Sequence, residues 1–367
     1  MTSADYLHTA FLLAKRANSK DIRPNPFVGA IVVDDKGIII GEGYHQKAGE
    51  AHAEVLAIND ALAKNKDLSN STLYVSLEPC SHSGKTPPCT HLILEHKIPK
   101  VVIGSMDPNP LVSGAKELRD AGVNVEICIQ PGIVELNNTF NINQLNKRPK
   151  YILKAATTLN GKMADRFGNS KWISNDKSRN YVHQVLRTNA DAILTTAKTV
   201  MKDNATMNSR VAELEPKELN LIIIDKQLDI LKEENKALNI FYKREKTKIY
   251  LVTDKTFENT LPEHIELINV NVHEGECDLL ELSTILLKKD ICEILVEAGG
   301  KLNASLLKTK IVDELNIFMA PSLLIDNSSI NLFNSSELQS IENSIQLSLQ
   351  ETQNFDSDIM MKYKVLY

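Results

Sequence analysis

Aromatic side chains are scarce in this chain: 5% of 367 residues, with a single tryptophan. That scarcity argues against a platform on which successive bases of single-stranded nucleic acid would stack. Nor is there an excess of basic charge. The 42 Lys and Arg are set against 47 Asp and Glu, a formal −5 shared almost evenly between the halves, so bulk charge gives no sign of phosphate-backbone binding. Long apolar runs are also missing. Ile38–Ile40 and Leu221–Ile224 fall far short of the roughly 20 residues that cross a bilayer. Met1-Thr2-Ser3-Ala4-Asp5 has neither the basic start nor the apolar core of a signal peptide. Five cysteines in this length make no disulfide framework. These absences predict a chain of the reducing cytoplasm with no nucleic-acid or membrane partner. Its cysteines are then core residues, redox groups or metal ligands.

What is present is ordinary globular composition, 43% hydrophobic and 24% charged, in a length that suits about two domains. Helical spacing of Leu7, Ala10, Phe11 and Ala14 predicts an opening helix over 4–17. Val28–Val33, the turn Asp34-Asp35-Lys36-Gly37 and Ile38–Ile40 read as a hairpin. Helices over 52–63, 89–97 and 115–121 then alternate with strands Thr72–Leu77, Lys100–Gly104 and Val123–Ile129, an α/β layer. The Asn-rich stretch 131–149 reads as a helix and linker, dividing the chain into 1–147 and 148–367. Alternation restarts with strand Tyr151–Ala155, helix Ser174–Arg187 and strands at 192–195, 221–224, 248–252 and 294–296. Residues 213–247, rich in Lys, Glu and Asn, read as a solvated surface insertion.

His52-Ala53-Glu54, followed by Pro79-Cys80 and then Cys89, carries the strongest chemical signal. One imidazole and two thiolates make a neutral three-ligand zinc site with a position left for water. His52 and Cys80 are expected at helix starts, where backbone N–H groups favour thiolate. Glu54, two residues past a ligand, is placed to move protons between the water and a leaving amine. Two readings stay beside this one. The cysteines are plain core with a surface His, or the zinc is structural and takes His82 or His91 as fourth ligand. The combination of His-x-Glu with Pro-Cys favours catalysis and matches zinc nucleobase deaminases, except that their second cysteine follows three residues after the first. Glu78 reads as support for the metal loop, and Cys128, Cys277 and Cys292 as inert core.

Cys80-Ser-His-Ser-Gly-Lys-Thr-Pro-Pro-Cys89 closely resembles the deaminase domain of the bifunctional riboflavin-biosynthesis deaminase/reductases. So do Pro24-Asn25-Pro26-Phe27-Val28-Gly29, Gly41–His45, Ala48–Glu54 and Asp107-Pro108-Asn109-Pro110. The resemblance implies a cytidine-deaminase-like α/β/α domain holding one catalytic Zn2+. The implied reaction is hydrolytic loss of an exocyclic amine from a diaminopyrimidinone carrying a ribosyl phosphate. Asn25 and His45 would then face the substrate. Ser83 departs from a family His, and the segment after Gly114 is shorter than the family's.

In the second half no Gly-x-Gly-x-x-Gly follows a strand, so a Rossmann site is unsupported. Gly299-Gly300-Lys301, between a strand and a helix, is either a phosphate-approaching turn or a plain one. Leu153–Lys162 (with Lys154 and Ala156), Asn169–Ser174, Leu186-Arg187, Thr199-Val200, Asp203-Asn204, Arg210, Glu297–Gly299 and Val312–Leu315 resemble, in order, the reductase domain of the same family. That implies a dihydrofolate-reductase-like α/β domain using NADPH to reduce the ribosyl to a ribityl chain. The resemblance puts Lys154, Ser170, Arg187, Met207, Arg210 and Glu297 on the substrate. Ala156, Trp172, Thr199, Asp203, Gly299, Gly300 and Lys301 fall on the cofactor, and a homo-oligomer is implied. Ala205, Lys226, Asp229 and Gly300-Lys301 depart from the family pattern. An alternative keeps the deaminase and makes the second domain a non-reducing binding module.

Overall fold

The computed structural model describes residues 1–81, 87–211, 218–242, 247–336 and 340–367. They form two compact units, Met1–Lys147 and Arg148–Tyr367. Among the described residues no helix is long and apolar enough to cross a membrane.

The first unit has five strands: β1 (Gly29–Val33), β2 (Ile39–Tyr44), β3 (Thr72–Val75), β4 (Lys100–Ile103) and β5 (Asn124–Ile127), in sheet order β2-β1-β3-β4-β5. β1 is antiparallel to both neighbours, and β3, β4 and β5 are parallel. Among the described residues seven helices accompany them: α1 (Ser3–Ala14), α2 (Ser19–Ile22), α3 (Ala53–Ala63), α4 (Cys89–Glu95), α5 (Gly114–Asp120), α6 (Pro131–Leu136) and α7 (Asn138–Asn146). The stretch 131–149, expected as one helix and a linker, is thus helical almost throughout, with Pro131 at the first position of α6, where its missing N–H costs nothing. Alternation along β1 sends Ala30 and Val32 to one core and Ile31 and Val33 to another.

On the first face α3 offers Ala53, Ala57 and Ala61, all fully buried at four-residue spacing. It lies directly against the glycines of β2. A Cβ on Gly43 would sit 2.5 Å from the Ala53 carbonyl oxygen and 2.6 Å from the Ala57 nitrogen, and one on Gly41 would strike the Ala57 carbonyl. On the other face Gly29 takes the backbone of α1 at Ala10 and Ala14 in the same way.

The second unit holds a nine-stranded sheet, order β11-β10-β9-β8-β14-β6-β15-β18-β17. Its strands are β6 (Lys150–Thr158), β8 (Ala192–Thr196), β9 (Asn220–Ile224), β10 (Ile249–Thr253), β11 (Ile265–Asn269), β14 (Glu293–Val296), β15 (Val312–Ala320), β17 (Gln346–Phe355) and β18 (Asp358–Leu366). From β11 to β15 all pairs are parallel, and the β17–β18 hairpin closes the sheet antiparallel. Short ribbons pair β7 (Lys162–Ala164) with β16 (Ile330–Asn331), and β12 (Val272–His273) with β13 (Glu276–Cys277). The helices are α8 (Asp176–Tyr181), α9 (Arg187–Asn189), α10 (Ala197–Asp203), α11 (Asn239–Tyr242), α12 (Leu279–Leu287) and α13 (Gly300–Lys308). Cores lie on both sheet faces, so the central strands are apolar runs rather than alternating ones.

Three expectations need correction. The single helix over 174–187 is broken: α8 and α9 flank a π-helical turn, Val182–Leu186, which a 3.6-residue reading passes over. The stretch 213–247 is no mere surface insertion, because it contains β9 and buries Leu219, Ile230, Leu238 and Ile240; of it, 213–217 and 243–246 lie outside the described residues. Cys128 and Cys277 are half-buried, whereas Cys292 is core.

The α3–β2 contact predicts the effect of one methyl group. Gly43→Ala must push α3 off the sheet, so urea unfolding should show a loss of about 1–3 kcal/mol.

A three-donor metal site and a charged cluster

His52 is the N-cap residue of α3 and spends its side chain elsewhere, making no capping hydrogen bond. Its Nδ1 lies 3.5 Å from the Cys80 Sγ and 3.3 Å from the Cys89 Sγ. All three donor atoms fall within 4.8 Å of one another. Tetrahedral zinc bonded to sulfur and imidazole nitrogen sets S···N edges of roughly 3.5 Å, so the donors present fit that ion. Cys89, not Cys80, opens a helix; Cys80 lies in the loop after β3, and the Cys89 N–H at the start of α4 points to its sulfur at 3.3 Å. The hydrogen bond from the Cys89 thiol, then that from His52, pulls the Cys80 thiol down to about 4, and the reciprocal bond pushes the Cys89 thiol up. A cation taking both sulfurs as thiolates would release the remaining proton.

The loop itself is pinned. Glu78 accepts from the N–H of Ala115 at 2.9 Å and of Asp107 at 3.3 Å. Gly114 brings α5 so close to the Pro79 carbonyl that no Cβ would fit. Glu78 therefore supports the loop, as its position before Pro79 predicts. His91 is exposed on α4 and outside the donor group; His82 and Ser83 lie outside the described residues.

Glu54, in the first turn of α3, is 3% exposed. Burial pushes its carboxyl up, and His52 opposes that rise. Asn25 and His45 come together at the same place. Asn25 Nδ2 donates to His45 Nε2 at 3.0 Å, His45 Nδ1–H donates to the Ala51 carbonyl at 3.2 Å, and the His45 ring meets His52 edge-on at 5.7 Å. Both bonds suit a neutral imidazole, and burial holds this ring below its usual pKa.

In the second unit, several of the residues singled out lie on or just after the parallel strands of the sheet. Lys154 and Ala156 are on β6, Thr199 and Asp203 on α10 after β8, and Glu297 through Lys301 follow β14. Open α/β sheets bind ligands outside the carboxyl ends of such strands. Arg187 is buried and grips Glu297 through two hydrogen bonds of 2.6 and 2.8 Å, with a third to the Asn208 carbonyl. Burial pushes the Glu297 carboxyl up, but the charge and hydrogen bonds of Arg187, with Lys154 and His183, hold it down to about 2. Burial lowers Lys154, whose ammonium sits 5.8 Å over the Phe318 ring.

His183, missed in the sequence, belongs to this group. It lies on the π-helical turn and accepts the Arg210 N–H at 3.1 Å; burial and the charges of Arg187 and Arg210 push it down to about 4. Arg210, Ser170 and Trp172 are exposed. The Met207 side chain is instead packed in the core at positive φ. Gly299 is exposed with open space around it and caps the nine-residue α13 without a side-chain bond. Gly300 packs against the Asn331 carbonyl. Free N–H groups at that helix start suit a phosphate, and Trp172 is 70% exposed. An open cleft of about 640 Å3 is lined by Thr158, Trp172, Ser174, Arg179, Ser322 and Asp358, among others.

Residues 149–361 match the family model of the RibD C-terminal domain, and residues 1–105 match that of the cytidine and deoxycytidylate deaminase zinc-binding region. The chain belongs to the RibD family. It is 36% identical to the riboflavin biosynthesis protein RibD of Aquifex aeolicus, over 98% of each chain. With the RibD of Escherichia coli (strain K12) it shares 35% identity over 87% of this chain and 88% of that one. Among solved structures it is similar to a diaminohydroxyphosphoribosylaminopyrimidine deaminase/5-amino-6-(5-phosphoribosylamino)uracil reductase from Thermotoga maritima. The TM-score is 0.84 and the identity 34%, with 99% of each chain covered. RibD proteins join a zinc-binding deaminase domain to a reductase domain, and this chain has both.

Two measurements follow. Cys89→Ala should weaken zinc binding at least about a hundredfold by metal titration, whereas the exposed His91→Ala should leave it unchanged. His183 is held neutral in the fold, so the unfolded chain binds the extra proton first. Stability is therefore lost as pH falls from 6.5 toward about 4, and the Glu297 contribution is lost from 4.5 toward about 2. Urea midpoints of the full chain should fall from pH 7 to pH 5, and His183→Gln should flatten that fall.

Proposed function

We propose that the first unit, 1–147, deaminates 2,5-diamino-6-(5-phosphoribosylamino)pyrimidin-4-one, and that the second, 148–367, reduces the product's ribosyl chain to ribityl with NADPH. The observation that carries this reading is the donor set His52, Cys80 and Cys89 with a buried carboxyl, Glu54, beside it. Zinc held there makes water nucleophilic near neutral pH. Glu54 accepts the proton of the attacking water and returns it to the exocyclic nitrogen. A carbonyl oxygen replaces the amine, and ammonia leaves. Burial, which favours the protonated carboxyl, suits the second half of that transfer. Asn25 and His45, already bonded to each other, hold the pyrimidine and ribose.

In the second unit NADPH supplies the reducing equivalents. Trp172 offers a face to its nicotinamide or ribose, Ala156, Thr199 and Asp203 line the cofactor, and Gly299 through Lys301 receive a phosphate at the start of α13. Glu297, oriented by Arg187, and Lys154 face the sugar, with Ser170, Arg210 and the Met207 backbone on the substrate. Lys154, whose ammonium is destabilised by burial, is the proton donor. Arg187 acts through Glu297 rather than on a phosphate directly. We also infer a cytoplasmic homo-oligomer, as the sequence resemblance implies.

Glu54→Gln separates the two activities. Ammonia release from the diamino substrate should fall by about 10²–10⁴-fold with zinc content intact, while NADPH oxidation on the deaminated substrate persists. Unaltered ammonia release in this variant would refute the deaminase assignment.

A further inference from the structure

Trp172 is the chain's only tryptophan, and it is 70% exposed on the wall of the C-terminal cleft. An exposed indole on a loop has many rotamers to choose from, and ordering it on binding costs free energy. Here one group restrains it. The Arg179 guanidinium carbon lies 4.3 Å from the ring centroid, and among the described residues no other cation or aromatic ring stacks on it.

Arg179 is itself fixed from two sides. Its guanidinium donates to the Ser174 carbonyl and to Asp176. Its helix, α8, is anchored at the cap: Asn175 accepts from the Ser178 N–H at 2.9 Å. The buried Asp358 of β18 accepts from the Asn175 N–H at 2.7 Å and the Ser178 hydroxyl at 2.8 Å. A chain of bonds thus runs from the β17–β18 hairpin through α8 to the guanidinium and ends on the indole.

We propose that Arg179 is a positioning residue of the reductase, clamping one face of Trp172 so that the indole is pre-ordered for the flat groups of NADPH. This rests on the reading that Trp172 meets the cofactor. Arg179 itself acts through the ring, and Asp176 offsets its charge.

The single tryptophan makes the test direct in the full-length protein. In cofactor-free Arg179→Met, the anisotropy of tryptophan emission should drop and acrylamide quenching should rise, because the ring is released. NADPH titration, followed by quenching of that emission, should give a Kd raised about three- to tenfold. Arg179→Lys, which keeps a cation over the ring, should recover part of both. Anisotropy unchanged in Arg179→Met, with wild-type emission still quenched by NADPH, overturns the clamp and leaves the Trp172 reading standing. Lower anisotropy with an unchanged Kd also overturns it, since ring order would then not matter to binding. Wild-type emission indifferent to NADPH, with Trp172→Phe binding NADPH as tightly by calorimetry, removes the Trp172 reading and the proposal with it.

Discussion

The first unit depends on how closely α3 approaches β2. Gly41 and Gly43 remove the side chains that would hold a helix at its usual distance, and Ala53, Ala57 and Ala61 do the same from the helix side. Backbone then rests on backbone, a contact with almost no freedom to slide. Because His52 caps α3 and Glu54 lies in its first turn, this approach fixes both at one edge of the sheet. The cysteines need a separate fixture, and Gly114 against Pro79 with Glu78 on the α5 backbone supplies it. The three donor residues, from a helix end, a loop and a second helix end, are thereby placed by backbone packing and loop hydrogen bonds.

The second unit solves the same problem with charge. Among the described residues no group of metal donors defines its candidate site; Arg187 and Glu297 are buried against each other, with Lys154 and His183 within their field. An isolated buried carboxylate would be costly, and a bidentate partner makes it tolerable. The pair also fixes a carboxylate at the carboxyl end of β14, between the strands carrying Lys154 and the helix carrying Thr199 and Asp203. The π-helical turn serves this arrangement: it places His183 toward Arg210 while Arg187 continues on the next turn.

Legibility in the sequence followed from how local each signal is. The α/β alternation, the β1–β2 hairpin and the donors His52, Cys80 and Cys89 are readable because strand period, turn chemistry and metal-ligand chemistry are properties of short segments. Which cysteine begins a helix is not legible locally, since the Cys80 loop is shaped by Gly114 and Glu78, contacts distant in the chain. The π-turn at Val182–Leu186 leaves no mark in a helical period. Met207 reads as a site residue in sequence order, yet its side chain packs in the core at positive φ. Nothing in Ser178-Arg179-Asn180 suggests that Arg179 stacks on a tryptophan seven residues earlier.

The near-absence of net basic charge acquires a physical meaning from these sites. A chain of −5 that handles phosphorylated anions draws no help from its own long-range field, which over the surface as a whole repels them slightly. On the proposed function, recognition then comes from short-range groups fixed before the ligand arrives, such as the N–H groups at the start of α13 and the exposed Arg210. Donors of that kind act within a few ångströms and are weakly screened by salt compared with a diffuse basic surface. They also discriminate by geometry, which a basic surface does not. Precise local placement therefore does here what a basic surface does in proteins that bind nucleic acid, and the glycine contacts and buried ion pair are what make that placement possible.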